Sequence, residues 1–319
     1  MIIPLILISA FLAVNMGVSG FAVSFTPSYG SGILKKRDAV ILYAIFVFAG
    51  GILVGPRVVE TLVGKISLQR IGTASSLIII VSATIMMTLS NLLKIPQSTS
   101  FVAVAAFVGA GLFHGAVNWQ TVIRIIRVAA LFSAASFALT YWLARRVYPP
   151  HPDNLKFYEK FYAHRSKFKK FIVWTDIYSA FGIGTNNVAN VVAPFVAAVP
   201  AAPLLPLAGA APFFGLGSYL WGEKVLKTVS KDIIPIGEIS ASVVSLITAS
   251  FVIIASLLGL PTPYVQFSTF SVLAVSCVKD GFGKTFEKAI FKKIVSVWLL
   301  VPAATALLSL FLHRIILGR

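Results

Sequence analysis

Residues 181–194 read "FGIGTNNVANVVAP" and place three carboxamides, Asn186, Asn187 and Asn190, inside an otherwise apolar run. A carboxamide in apolar surroundings is costly unless its donors and acceptor are hydrogen-bonded. Asn186 and Asn190 lie four apart, so on a helical turn they project from one face. A second polar cluster, Ser98, Thr99 and Ser100 in "KIPQSTS", follows a proline and reads as a helix start. Hydroxyls and amides at such starts, together with free backbone N–H groups and the helix dipole, make anion sites. Two more starts of this kind lie around Ser19 and over Thr262–Gln266. Each has a plainer reading. Ser19 alone bonds its own helix backbone, and "QSTS" caps a helix. Three asparagines within five residues are harder to absorb in that way, because unfilled intramembrane amides are expensive.

Other chemistry is sparse. Of the ten acidic residues, Asp176 and Glu238 sit in apolar surroundings, each a helix-end residue or a proton or cation site. Glu238, in "IGEISAS", is preferred as a coupling-ion residue because small neighbours let another helix approach. The histidines, 114, 151, 164 and 313, have no metal-ligand spacing. The single cysteine, Cys277, forms no intrachain disulfide and reads as a small buried residue. There is no phosphate-binding loop of the ATPase type, no catalytic constellation and no cofactor motif, so an enzyme is not expected.

The elements that position these groups must lie in a membrane. The chain has 319 residues, 58% of them hydrophobic and 12% charged, with mean hydropathy +0.91. Soluble domains carry about 25% charged residues. Residues 1–25 lack a cleavage pattern and read as the first membrane segment of a multi-pass protein of the cytoplasmic membrane. Ten apolar runs follow one another, several too short for the ~20 residues that span a bilayer. "SFTPSYGSG" and the stretch 186–206 cannot be plain straight helices, so broken or re-entrant helices are expected. The net charge of +17 is spread over short connections, apart from residues 145–170, where eight basic residues face two acidic ones. Within this cluster Lys156, Lys160, His164 and Lys167 share a helical face beside Phe157, Phe161 and Phe168, which predicts an amphipathic helix on the cytoplasmic membrane surface. A patch for RNA is the alternative; nucleic acid is not an expected partner.

The basic cluster divides the chain into 1–144, a linker of 145–170, and 171–319. The two halves repeat. A shift of 167 residues matches Gly17 with Gly184, Ala22 with Ala189, Pro27 with Pro194, Ala44 with Ala211, Phe46 with Phe213 and Gly50 with Gly217. It also matches Leu53 with Leu220, Gly55 with Gly222, Val58 with Val225, Thr61 with Thr228 and Ile66 with Ile233. About five runs per half would invert the second repeat relative to the first. The expected fold is an all-α integral membrane protein of two inverted-topology repeats with broken helices, about 10–12 membrane segments in all. With the 145–170 cluster cytoplasmic, the N-terminus faces outside.

At this point a resemblance appears. "GTNNVANVVAP" resembles the motif G-x-N-D-V-A-N of the inorganic phosphate transporter family, and "KIPQSTS" resembles its P-x-S-T-T element. "GILVGPRVVETL" and "IGEIS" are similar to later segments of the same family. The resemblance covers nearly the whole chain and implies substrate-binding roles for Ser19, Gly20, Ser98, Thr99, Ser100, Thr185, Asn186, Asn187, Asn190 and Gln266. It also implies a homodimer. The departures are informative. Ser19, Gly20 and Val23 stand where the family has Asn, Asp and Asn, and Asn187 replaces the second Asp. The first-half version is similar to the sulfate-permease branch. Phosphate near pH 7 keeps at least one proton, which a carboxylate can accept; sulfate keeps none, so a site stripped of carboxylates suits sulfate. The lost aspartates are also the natural oxygen ligands of Na⁺. The reading is therefore a secondary transporter importing sulfate, driven by protons or the membrane potential, with Na⁺ as the other candidate coupling ion. Phosphate as substrate and an anion channel are the alternatives.

Overall fold

The computed structural model describes all residues except 93–96, 148–151, 200–201, 224–225, 227–236, 288 and 319. Several matches of the repeat (Val225, Thr228, Ile233) fall outside the described residues. The described chain is helical throughout, with a single isolated β-bridge between Ser67 and Val117. In order, the helices are α1 (Ile2–Ser24), α2 (Thr26–Gly30), α3 (Lys36–Leu53), α4 (Gly55–Gly64), α5 (Thr73–Leu92), α6 (Thr99–His114) and α7 (Trp119–Val147). There follow α8 (Leu155–Ala163), α9 (Arg165–Ile183), α10 (Ala189–Ala198), α11 (Leu204–Gly217), α12 (Glu238–Leu257), α13 (Tyr264–Asp280), α14 (Phe282–Glu287) and α15 (Ala289–Leu317).

Among the described residues, six helices are long and apolar enough to cross a membrane, or seven if the bent pair α3 and α4 counts as one span. The ten apolar runs are therefore not ten full spans. Several fold as shorter pieces: α6, with 16 residues, extends about 24 Å, less than the ~30 Å hydrocarbon core. Large apolar side chains remain exposed on the outside, among them Leu299, Leu300, Leu307 and Phe311 on α15. An apolar surface of this extent belongs against lipid rather than water.

The broken segments form where glycine and proline predict them, each in its own way. α1 stops at Ser24, and α2 restarts after Phe25 with Pro27 in its first turn, where a missing N–H costs nothing. α3 and α4 meet at Val54 with a bend of 56°. In the second half the stretch 186–206 is interrupted differently, by a π-helical turn at its start and by extended backbone at Val199. α9 runs on through a π-helical turn (Gly184–Val188) into α10, which carries Pro194 inside it. Having no N–H, Pro194 frees the carbonyl four residues before it, that of Asn190.

The two halves meet backbone to backbone at glycines. A methyl group built on Gly17 would lie 2.3 Å from the Phe214 carbonyl oxygen, and one on Gly184 would lie 2.2 Å from that of Val47. Likewise Gly50 faces the Phe181 carbonyl and Gly217 faces that of Val14, each at 2.1 Å. Under the 167-residue shift the first contact becomes the second, and the third becomes the fourth, with the two partners exchanged. Only glycine permits such close approach, as at small-residue crossings between membrane helices.

The linker differs from expectation. The chain bends at His164, so Lys156 and Lys160 lie on α8 while Lys167 lies in the first turn of α9. The expected face is thus divided between α8, a short amphipathic helix, and α9, which runs on into the core, where Ile172 and Thr175 are buried.

Candidate functional site

Asn186 and Asn187 lie in the π-helical turn, and Asn190 one turn later on α10; all three are buried. A π-turn adds a residue to a helix and shifts the phase of its side chains. It aims these amides at the first turn of α6. Thr99 Oγ1 donates to Asn187 Oδ1 at 2.9 Å. Asn190 Nδ2 donates to Ser100 Oγ at 2.9 Å and lies 3.4 Å from Asn186 Oδ1. The Ser100 hydroxyl is 2.6 Å from Asn186 Oδ1 and 2.8 Å from the Thr262 carbonyl oxygen. With one proton, it serves one of these acceptors at a time.

Three further elements complete the cluster. Asn186 Nδ2 donates to Ser256 Oγ at 3.1 Å and to the Leu260 carbonyl at 3.3 Å. Thr185 Oγ1 donates to the Gly182 carbonyl at 2.7 Å and lies 3.0 Å from Ser256 Oγ. Ser98 caps α6 as predicted, its Oγ accepting the Phe101 N–H at 3.2 Å. That cap takes one donor of the first turn, and the N–H groups of Thr99 and Ser100 have no partner within the helix. The site thus joins the end of α12, the Leu260–Thr262 connection, the start of α6 and the π-turn. Among the described residues, the groups it joins are amides, hydroxyls and backbone groups, none of them ionisable.

The cluster is nearly self-satisfied, with informative exceptions. Asn190 Oδ1, Thr262 Oγ1 and both polar atoms of the Gln97 amide are buried without partners. Gln97 immediately precedes the α6 cap and is 4% exposed. Sequence reasoning passed over it, as it did Ser256. The available signal was a long amide directly before a helix start in apolar surroundings. A dianion entering here would exchange neutral hydrogen bonds for charge-assisted ones, which are shorter and about twice as strong.

The other expected site residues are placed differently. The Ser19 hydroxyl bonds the Met16 carbonyl of its own helix at 3.1 Å and joins none of the cluster's bonds. Gly20 is buried, and a methyl group there would sit 2.4 Å from the Tyr43 hydroxyl. The tyrosine fills the space that a side chain at position 20 would need. Gln266 is buried in the first turn of α13, below the Thr262 connection. Glu238, the preferred coupling-ion residue, is partly exposed in the first turn of α12, where an acid complements the helix dipole. Asp176 is fully buried on α9. A crevice among Ile6, Ser9, Ala10, Val192, Phe195 and Phe213 is almost wholly apolar, with the Ser9 hydroxyl as its one polar side chain.

Comparison with known proteins bears on what this cluster serves. The profile of the phosphate transporter family matches residues 16–309. The sulfate permease CysP of Bacillus subtilis is 34% identical over 98% of this chain and 87% of its own length. A putative phosphate permease of Pyrococcus furiosus is 25% identical over 94% of each chain. A solved sodium-dependent phosphate transporter superposes with a TM-score of 0.84 over 99% of both chains, at 20% identity, which is a likeness of fold.

Proposed function

We propose that this chain, which belongs to the phosphate transporter family, is a secondary-active permease that imports sulfate. The family and the membrane fold establish a multi-pass anion permease; the choice of sulfate rests on the site. One observation carries it: among the described residues, the amide–hydroxyl cluster around Ser100, Asn186 and Asn190 is built of uncharged hydrogen-bonding groups with no carboxylate among them. Monohydrogen phosphate offers a proton that needs an acceptor; sulfate is an acceptor on every oxygen. The likeness to the sulfate permease of Bacillus subtilis over nearly the whole chain supports the same reading. Phosphate is the second reading, favoured by the other relatives' names.

Asn186, Asn187, Asn190, Thr99 and Ser100, with the free N–H groups at the α6 start, are proposed to hold the anion between the two halves. Ser98, Thr185 and Ser256 orient them. Gln97 and Gln266 are proposed as outer contacts. The two halves are proposed to be related as inverted repeats, with the linker 145–170 on the cytoplasmic side, and the exchanged glycine contacts support that arrangement. Every group named comes from one chain, so a homodimer would contain two separate sites.

Import also needs a driving ion. Bringing a dianion into a negatively charged cell costs about 2.3 kcal/mol per charge per 100 mV, or about 4.6 kcal/mol for sulfate. Each proton carried with it offsets one charge. Proton coupling is therefore part of the proposal.

The test is uptake of labelled sulfate into proteoliposomes with H⁺, Na⁺ and voltage gradients imposed separately. Accumulation driven by an acid exterior, competed by proton-free tetrahedral dianions and poorly by phosphate, is expected. Accumulation of phosphate alone refutes the sulfate reading; equilibration without accumulation under any gradient refutes the transporter reading.

A further inference from the structure

We propose that Asp176 is the proton-binding group of the transport cycle, and that its charge latches the tip of the first half onto α9. This rests on the permease reading above and deepens it.

Asp176 is fully buried. The ion pairs among the described residues are Lys36–Glu223 and Lys65–Glu60, so no cation neutralises it there. Its Oδ2 accepts the backbone N–H of Ser28 at 2.9 Å. Its Oδ1 has no partner, and neither has the Ser28 hydroxyl. A fully buried carboxylate faced by the Ser28 N–H, with the Ser28 hydroxyl beside it, is a group with two states. Charged, it holds Ser28 by a charge-assisted bond; protonated, it relieves the cost of the buried charge and holds Ser28 weakly.

Ser28 is the pivot of a turn. Its carbonyl accepts the N–H groups of Ile33 and Leu34 at 2.8 and 3.1 Å, closing the chain after α2. The single bond to Asp176 therefore ties α2 and the turn after it, the broken segment of the first half, to a helix of the second. That same helix continues into the π-turn carrying Asn186 and Asn187. Anion and latch share one rod.

The groups facing Asp176 fit a proton better than a metal cation. From α13, Tyr264 lies within electrostatic reach, and its hydroxyl bonds Ser179 Oγ, about one turn along α9 from Asp176. From α3, Tyr43 interacts with Tyr264 in turn; Lys36, Arg37 and Asp38 lie at the far end of that helix. α2 contributes Tyr29, α12 contributes Glu238 in its first turn, α8 has Tyr158, Lys156, Glu159 and Lys160, and α1 has no titratable side chain. Among the described residues, no ion pair or hydrogen bond joins a second carboxylate to Asp176. The Ser28 N–H points its positive end at the carboxylate, which a bound cation would oppose. A proton needs no coordination shell. The negative charge of Asp176 also repels a dianion arriving at the π-turn, so the two bind better together when Asp176 is protonated, as symport requires.

The test uses the full chain in proteoliposomes, as wild type, Asp176→Asn and Asp176→Glu. Two rates are read: sulfate–sulfate exchange without a pH gradient, and accumulation driven by an acid exterior. Wild type and Asp176→Glu should do both. Asp176→Asn should keep exchange within about threefold and accumulate no more than its gradient-free control. Accumulation by Asp176→Asn driven by the pH gradient overturns the assignment. If that variant exchanges nothing, infrared difference spectra of wild type decide. A protonated-carboxyl band that changes on sulfate addition and moves in Asp176→Glu supports the assignment, and its absence overturns it. A wild type that exchanges no sulfate refutes the sulfate reading instead. The same arms are then run with phosphate, where retained pH-driven accumulation by Asp176→Asn again overturns the assignment.

Discussion

Truncating Asn190 to alanine separates binding from folding better than any other change in the cluster. The side chain donates to Ser100 Oγ at 2.9 Å, with a weaker contact of 3.4 Å to Asn186 Oδ1. Neither partner is stranded by its loss: Asn186 Oδ1 keeps the Ser100 hydroxyl, and Ser100 keeps an acceptor for its proton. Asn190 Oδ1 has no partner to lose. The folding cost is thus one neutral hydrogen bond, about 1 kcal/mol. With a dianion bound, the same N–H group donates to a full charge, and its removal costs about 1.5–3 kcal/mol. At 1.4 kcal/mol per decade, that weakens sulfate binding roughly 10- to 150-fold. The assay is calorimetric titration of sulfate into purified protein, alongside thermal unfolding without sulfate. Asn190→Ala should unfold close to the parent and bind far more weakly. If Asn186→Ala and Asn190→Ala both bind sulfate like the parent, the amides are packing residues and the central claim fails.

Replacing Asn187 with Asp keeps an acceptor for the Thr99 hydroxyl but adds a negative charge beside the anion. Sulfate uptake should fall at least tenfold, and unchanged uptake would remove Asn187 from the site. Ser100→Ala should cost more transport than Ser98→Ala, because Ser98 contributes only a cap worth about 1 kcal/mol; equal losses in an uptake assay would contradict the bonding described. Gly184→Ala should impair folding, since its methyl group meets the Val47 carbonyl at 2.2 Å, and a normal yield of monodisperse protein would argue against the close crossing. Cysteines introduced at Ser166 and near Met1 should be labelled from opposite sides of the membrane; labelling from one side would undo the inverted arrangement.

The site was legible in the sequence where polarity and burial conflict. Asn186, Asn190 and Ser100 stood out because amides and hydroxyls in an apolar run demand partners, and they prove to be one another's partners. Ser256 and the Leu260 and Thr262 carbonyls were not legible. A serine in a membrane helix has a backbone partner at hand, and a carbonyl leaves no mark on the residue type. Ser19 followed the plainer reading for that reason. Of the two acids, small neighbours pointed to Glu238, while Asp176 is the one that is fully buried. Neighbours in sequence say little about depth when the covering helix comes from the other half. Residue type placed the breaks but not their form. A proline can end a helix, as after Phe25, or ride inside one, as at Pro194, depending on whether the freed carbonyl finds cover.

The exchanged glycine contacts have a bearing on descent. A surface on which residue i touches j while j touches i is the self-complementary face of a twofold dimer. Gly17 with Phe214 and Gly184 with Val47 are such a pair, now written once each along a single chain. In a dimer of identical subunits every substitution appears twice, so a site at the axis stays symmetric. A covalent link removes that constraint. One half could then keep Asn186, Asn187 and Asn190 while the other carries Ser19, Gly20 and Val23 at the positions the 167-residue shift matches to them, with the Tyr43 hydroxyl in the space a side chain at 20 would need. A chain that arose by such a fusion would keep the glycine contacts of the joint while the pocket beside it became lopsided, and a lopsided pocket would be free to specialise for one anion.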